Sequence, residues 1–225
     1  NIEVELKKIK LILDPFSLKL NIKTFGSKLK KQNKVIEIEN IKTQISLKSI
    51  LSNEFLIKNL EISSKSLEIK NLISFLRTFQ NSTQLFLLEK IIDKGYLIAD
   101  IKIEFDSDGR ISNNFIIDGF IKDVKLSILK EYNIQKLDLI FNYQKNDLLL
   151  SDISFSLNNL NFLSEKIFLT KINDNYTIKG NINHKALIID DQNLNILKKT
   201  ILSKLDVQRI ELSSNNSFFL KINKK

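Results

Sequence analysis

Apolar and polar residues alternate along most of this chain, and a period of two places the apolar set on one side of a strand rather than of a helix. Phe16, Leu18, Leu20 and Ile22 keep one parity, as do Ala99, Ile101, Ile103 and Phe105, and then Leu137, Leu139, Phe141 and Tyr143. A chain patterned in this way builds amphipathic sheet, whose apolar face something must cover. Turn chemistry divides the runs. Asp106-Ser107-Asp108-Gly109 lies between two alternating stretches and predicts a hairpin, because Gly follows too early for a calcium loop and no distal Glu completes one.

Taken in order, Ile2, Val4 and Leu6 are followed by Ile9, Leu11 and Leu13 in the opposite parity, which predicts a bulge or break near Lys7-Lys8. The only proline, Pro15, ends that run, and Gly26 with residues 28–34 reads as a basic connecting loop. Ile36 and Ile38, Ile45 and Leu47, Phe55 and Ile57, Leu60 and Ile62, and Leu67 and Ile69 are short one-sided strand pieces, with a turn of helix expected at Ser49–Ser52. Asn71 is placed to cap a helix carrying Leu72, Phe75, Leu76 and Phe79 on one stripe. A second helical run, Leu85 to Asp93, presents Leu85, Leu88 and Ile92 and ends before Gly95. The pair suggests a plug against one end of the sheet.

Phe115, Ile117 and Ile121 form the return strand, with Gly119 in their parity, and Val124, Leu126 and Ile128 follow after a shift at Lys122-Asp123. A meander continues through Phe155 and Leu157, Ile167 and Leu169, and Tyr176, Ile178, Gly180 and Ile182. Asp190-Asp191 would cap a helix bearing Leu194, Leu197, Ile201 and Leu205, and two strands, Val207–Leu212 and Phe218–Ile222, would close the series.

Chemistry is sparse. With one histidine and no cysteine, nucleophile–base pairs and thiolate or histidine metal clusters are hardly available, and no nucleotide-binding or hydrolase motif occurs. His184, beside Lys185 in a strand, reads as solvent-facing. The net charge of +9 comes mainly from Lys interleaved with Glu between Ile and Leu, the pattern of a solvated face. Nucleic acid is therefore not expected as a partner, and neither a cofactor nor a metal is expected.

The run Ile45-Ser46-Leu47-Lys48-Ser49-Ile50-Leu51 through Phe55-Leu56-Ile57-Lys58-Asn59-Leu60-Glu61-Ile62, and the wording of residues 115–126, resemble the amino-terminal unit and repeated strands of AsmA/TamB/YhdP-type proteins. Alternation alone fits either a two-sheet sandwich or an open trough; the resemblance selects the trough. The expected fold is thus mainly β, a long antiparallel, twisted sheet curled into an open groove, with about three short accessory helices. One segment spans 1–225: a first sheet unit over 1–70, a helical insertion over 71–95 and a meander over 96–225 with a helix near 191–205.

The resemblance implies a non-enzymatic segment of a bridge-like lipid transporter, whose apolar groove conducts phospholipid between the inner and outer membranes of a diderm bacterium. It implies phospholipid acyl chains as ligand, outer-membrane proteins as further partners, and a periplasmic location with an inner-membrane anchor outside residues 1–225. The chain, opening on Asn1 inside a strand pattern, is expected to be a piece of a longer protein. The groove-facing residues would be Phe16, Leu18, Leu20, Ile22, Ile36, Ile38, Ile45, Leu47, Ile101, Ile103, Phe105, Phe115, Ile117, Leu126, Leu137, Leu139, Phe141, Phe155, Leu157 and Ile178. The alternative is a structural β-module with a protein-filled core, which supports outer-membrane biogenesis by pairing its edge strands with partners.

Overall fold

The computed structural model describes residues 2–49, 57–112, 115–128, 132–158, 160–172, 175–189 and 210–223. The strands are β1 (Glu3–Glu5), β2 (Lys8–Asp14), β3 (Lys19–Lys31), β4 (Lys34–Ser46), β5 (Ile57–Ser64), β6 (Leu67–Glu68), β7 (Ile92–Glu104), β8 (Ile116–Ile128), β9 (Tyr132–Gln144), β10 (Asp147–Leu157), β11 (Leu160–Ile172), β12 (Asn175–Ile189) and β13 (Ile210–Asn223). Two helices, α1 (Ile69–Leu76) and α2 (Thr83–Ile91), stand between β6 and β7. All the strands belong to one antiparallel sheet in the order β1-β3-β4-β5-β7-β8-β9-β10-β11-β12-β13, with β2 beside β3 and β6 beside β7. The sheet curls without closing into a barrel, so β1 and β2 form one edge and β13 the other.

The chain meanders because tight hairpins are the shortest way to join antiparallel strands. Lys145 and Asn146 both have positive φ, at 51° and 72°, as a two-residue turn matched to strand twist requires. At the Asp106 turn, the Asp106 carboxylate accepts the backbone N–H groups of Asp108 at 2.9 Å and Arg110 at 2.8 Å. Its oxygens serve the hairpin.

One line across the sheet resets the alternation. The first strand breaks between β1 and β2, and β5 breaks from β6. Left-handed residues fall inside four other strands: Gly26 (φ 60°) in β3, Asp123 (53°) in β8, Lys136 (51°) in β9 and Asp152 (50°) in β10. The registers shift between Ile121 and Val124, between Ser151 and Ser154, between Leu163 and Ile167, and between His184 and Leu187. Residues three apart then share a face. Thr24 and Ser27 join hydroxyls at 2.8 Å, and Ile121 and Val124 pack in one cluster. Bulges bend strands and sharpen their twist, so this line divides the apolar face into two walls and curls the sheet.

The helices lie on one wall. Ile69 and Ile73 of α1 pack with Ile92 and Val124, and Phe75 packs with Ile36 and Ile38. Helix α1 begins at Ile69, two residues before the expected cap: Glu68 occupies the N-cap, and Asn71 donates instead to the Glu68 carboxylate at 2.7 Å. Its buried face is Ile69, Ile73 and Phe75, with Leu72 packed beside Phe75, while Leu76 is exposed and Phe79 lies exposed beyond the helix end, so the expected stripe does not reach it. Helix α2 starts after Ser82, whose hydroxyl accepts the N–H of Leu85 at 3.3 Å, and Ile92 already belongs to β7.

Other expectations are corrected as well. Residues 28–31 are strand, the connection being only Gln32 and Asn33, since cross-strand ion pairs such as Lys28–Glu37 accommodate the lysines. Gly95 does not end a helix; it lies within β7. From Ile210 onward the closing strand pair is one strand, β13, along β12, and residues 207–209 lie outside the described residues. The expected helical turn from residue 50 onward and the helix near 191–205 lie outside the described residues.

Candidate functional site

The residue pairs across the ladders define two rows that differ in composition. On one face, Ile9, Thr24, Ile41, Ile62, Ile101, Ile117, Tyr143, Leu148, Leu169, Ile178 and Leu220 stand side by side, one from each long strand between the two edges. One step along every strand, on the other face, run Lys10, Lys23, Lys42, Glu61, Lys102, Ile116, Gln144, Asp147, Thr170, Thr177 and Lys221. At the usual strand spacing, this row, apolar except at the buried Thr24, is about 50 Å long.

No second sheet covers that row. Among the described elements, every substantial strand contact is with a hydrogen-bonded neighbour, and the helices lie mainly against β4, β6, β7 and β8, where Ile41 and Ile62 of the row pack against the cluster that holds Phe75. Yet Ile101, Ile103, Ile117, Phe141, Leu150 and Ile178 are half-buried, whereas Lys102, Ile140, Phe168 and Lys179 opposite them are exposed. Curling produces that asymmetry. Side chains on the concave side shelter one another, and those on the convex side splay apart.

The row beside it is shaped by glycines. Gly119 faces Phe141 across the ladder, and a Cβ at Gly119 would stand 2.7 Å from Phe141 Cζ and 2.3 Å from the Ile98 carbonyl oxygen. Gly180 faces Phe218 in the same way, with Cζ 3.1 Å from the position of a Cβ. Each aromatic ring lies over bare backbone, which keeps the floor of the trough low and apolar.

The expected site residues separate into groups. Leu20, Ile22, Ile45, Ile101, Ile103, Ile117, Phe141 and Ile178 lie on the concave face, and none belongs to a helix-covered cluster. Phe115 joins them, its ring 5.4 Å from that of Tyr143, and Phe105 forms an isolated bridge with Ile111 at the end of β7. Ile36, Ile38, Leu126 and Leu137 lie in the clusters under α1, covered by protein, and Leu139 is buried beside Ile121. Phe155 stacks on Phe162 at 5.2 Å, and Leu157 pairs with Leu160 at the next turn. Phe16 and Leu18 are not strand residues: the turn after Asp14 holds both, Phe16 is 97% exposed and Leu18 has φ 52°. Leu47 lies just past β4, its N–H donating to the Leu18 carbonyl at 2.8 Å.

His184 is buried rather than solvent-facing. Its Nε2 lies 2.9 Å from Ser214 Oγ, and its ring meets Phe162 edge-on at 5.3 Å. The parity of Ile178, Gly180 and Ile182 already carried this signal, since His184 continues it. Among the described residues, no group of His, Cys, Asp and Glu could hold a metal, and no helix is long and apolar enough to cross a membrane. Comparison with protein-family models, curated proteins and solved structures returns no match.

Proposed function

We propose that the uncovered part of the concave face binds lipid acyl chains lengthwise, as one segment of a conduit carrying phospholipid across a bacterial envelope. The observation that supports this most is the run Ile101, Ile117, Tyr143, Leu148, Leu169 and Ile178, half-buried and, among the described residues, with no helix or second sheet packed over it. Leaving about 25 Å of apolar sheet against water is unfavourable by roughly 25 cal/mol for each Å² exposed. An acyl chain removes that area from water without asking for hydrogen bonds. It also needs no particular side chain, which agrees with a lining of Ile, Leu, Phe and Tyr. The resemblance to AsmA/TamB/YhdP-type proteins points the same way, with the periplasm as the setting and an inner-membrane anchor outside residues 1–225.

Gentle purification followed by native mass spectrometry tests the reading. The protein is expected to carry co-purified phospholipid, and a folded protein consistently free of lipid would contradict it. A second reading rests on a separate observation: among the described strands, β2 pairs with β3 on one side and β13 with β12 on one side, with Leu11, Leu13, Phe219 and Ile222 exposed along them. Such edges accept further strands. Edge pairing with neighbouring segments or outer-membrane proteins would lengthen the trough, so the two readings are compatible.

A further inference from the structure

Helix α2 reads Thr-Gln-Leu-Phe-Leu-Leu-Glu-Lys-Ile and buries no residue of its own. Only Leu85 reaches the core cluster; Phe86, Leu87 and Leu88 are 42%, 51% and 45% exposed. A helix apolar on its outer side needs a cover. The cations are arranged around the exposed rings. Arg77 lies over Phe86 at 5.2 Å and Lys90 at 5.7 Å, and Lys31 lies over the exposed Phe79 at 3.6 Å. Arg77 also pairs with Glu89, which ties α2 to the end of α1 and fixes the orientation of this patch.

We infer that the α1–α2 corner docks onto the interface of an anionic lipid bilayer, Phe86, Leu87 and Leu88 entering at headgroup depth and Lys31, Arg77 and Lys90 meeting lipid phosphates. Apolar side chains ringed by long cationic ones match that boundary, where the stems are buried and the charges stay wet. A second copy of the chain fits less well, because pairing the patch with itself would oppose the three cations. An acidic protein would answer the charges and leave the leucines to be covered separately. An anionic bilayer satisfies both, and the net charge of +9 attracts the whole chain to it. The inference does not depend on lipid occupying the trough.

The chain contains no tryptophan, so Leu87→Trp places a lone reporter in the patch and Phe168→Trp places one on the convex face. With vesicles containing phosphatidylglycerol, Leu87→Trp fluorescence is expected to shift to the blue and Phe168→Trp fluorescence to stay unchanged. In co-sedimentation, Phe86→Gln/Leu87→Gln/Leu88→Gln should lower partitioning at least about tenfold, and so should replacing the anionic vesicles by phosphatidylcholine alone. Circular dichroism would establish that the triple variant keeps its fold. Phe168→Gln, an apolar-to-polar change on the convex face outside both the patch and the trough, should bind vesicles like the parent. Undiminished partitioning of the folded triple variant, equal shifts at both tryptophans, or no partitioning of the parent would each overturn the inference.

Discussion

Gly95 has φ 143° inside β7, and a Cβ there would stand 2.5 Å from Val124 Cγ2, so the position permits neither the conformation nor the volume of another residue. Gly95→Ala is expected to lower stability by about 1 to 3 kcal/mol, measured by urea unfolding. Asp14 shows a different kind of local constraint. The Ser17 hydroxyl donates to its carboxylate, with the Ser17 and Phe16 N–H groups at 3.2 and 3.0 Å, and these bonds hold its pKa below the usual carboxylate value. A depressed folded pKa gives stability that is present above the unfolded pKa and is lost as pH falls through the lowered folded value. Ser17→Ala should move the Asp14 titration, followed by NMR, back upward toward the ordinary range. Phe16 in the same turn shows where parity misleads. Three alternations through a turn look like a strand in sequence, and only the Asp14 hydrogen bonds reveal that the chain is reversing.

Helix α1 fixes the covered wall, and the two faces of its last turn should behave differently. Phe75→Ala removes a ring at 4% exposure and is expected to cost about 3 to 5 kcal/mol, against less than about 0.5 for the exposed Leu76→Ala. Equal costs for the two would contradict the helix placement. The strands were legible in the sequence because alternation is a backbone property, and the parity shift at Lys122-Asp123 was legible for the same reason: the left-handed Asp123 sits where the apolar phase changes. The helix boundaries were less legible. Asn71 looks like a cap, yet the chain turns helical at Ile69 because Ile69 and Ile73 gain burial against Ile92 and Val124, and tertiary packing outweighs capping preference. Residues 28–31 were misread for the opposite reason, since lysines in a strand are at home on its wet face.

On the scale of the molecule, the parity of Ile103 and Lys102 foretold opposite faces, whereas nothing in the alternation could distinguish a trough from a sandwich; the absence of a second sheet among the described residues does so. An aspartate at position 103 should therefore cost much less than one at Ile73, because water reaches the first site and not the second. Thermal melts are expected to show a shift of a few degrees for Ile103→Asp and unfolding for Ile73→Asp. If the concave face binds lipid as proposed, Ile103→Asp should also retain less of it, because it puts a charge on the apolar surface proposed to hold acyl chains. The central claim is that the concave face, and only that face, holds lipid. Photo-reactive residues at 103 and 178, with 102 and 179 as convex controls, test it in cells by crosslinking to phospholipid. Labelling confined to 103 and 178 is the predicted result, and equal labelling at all four positions, or none at any in a folded protein, would contradict it.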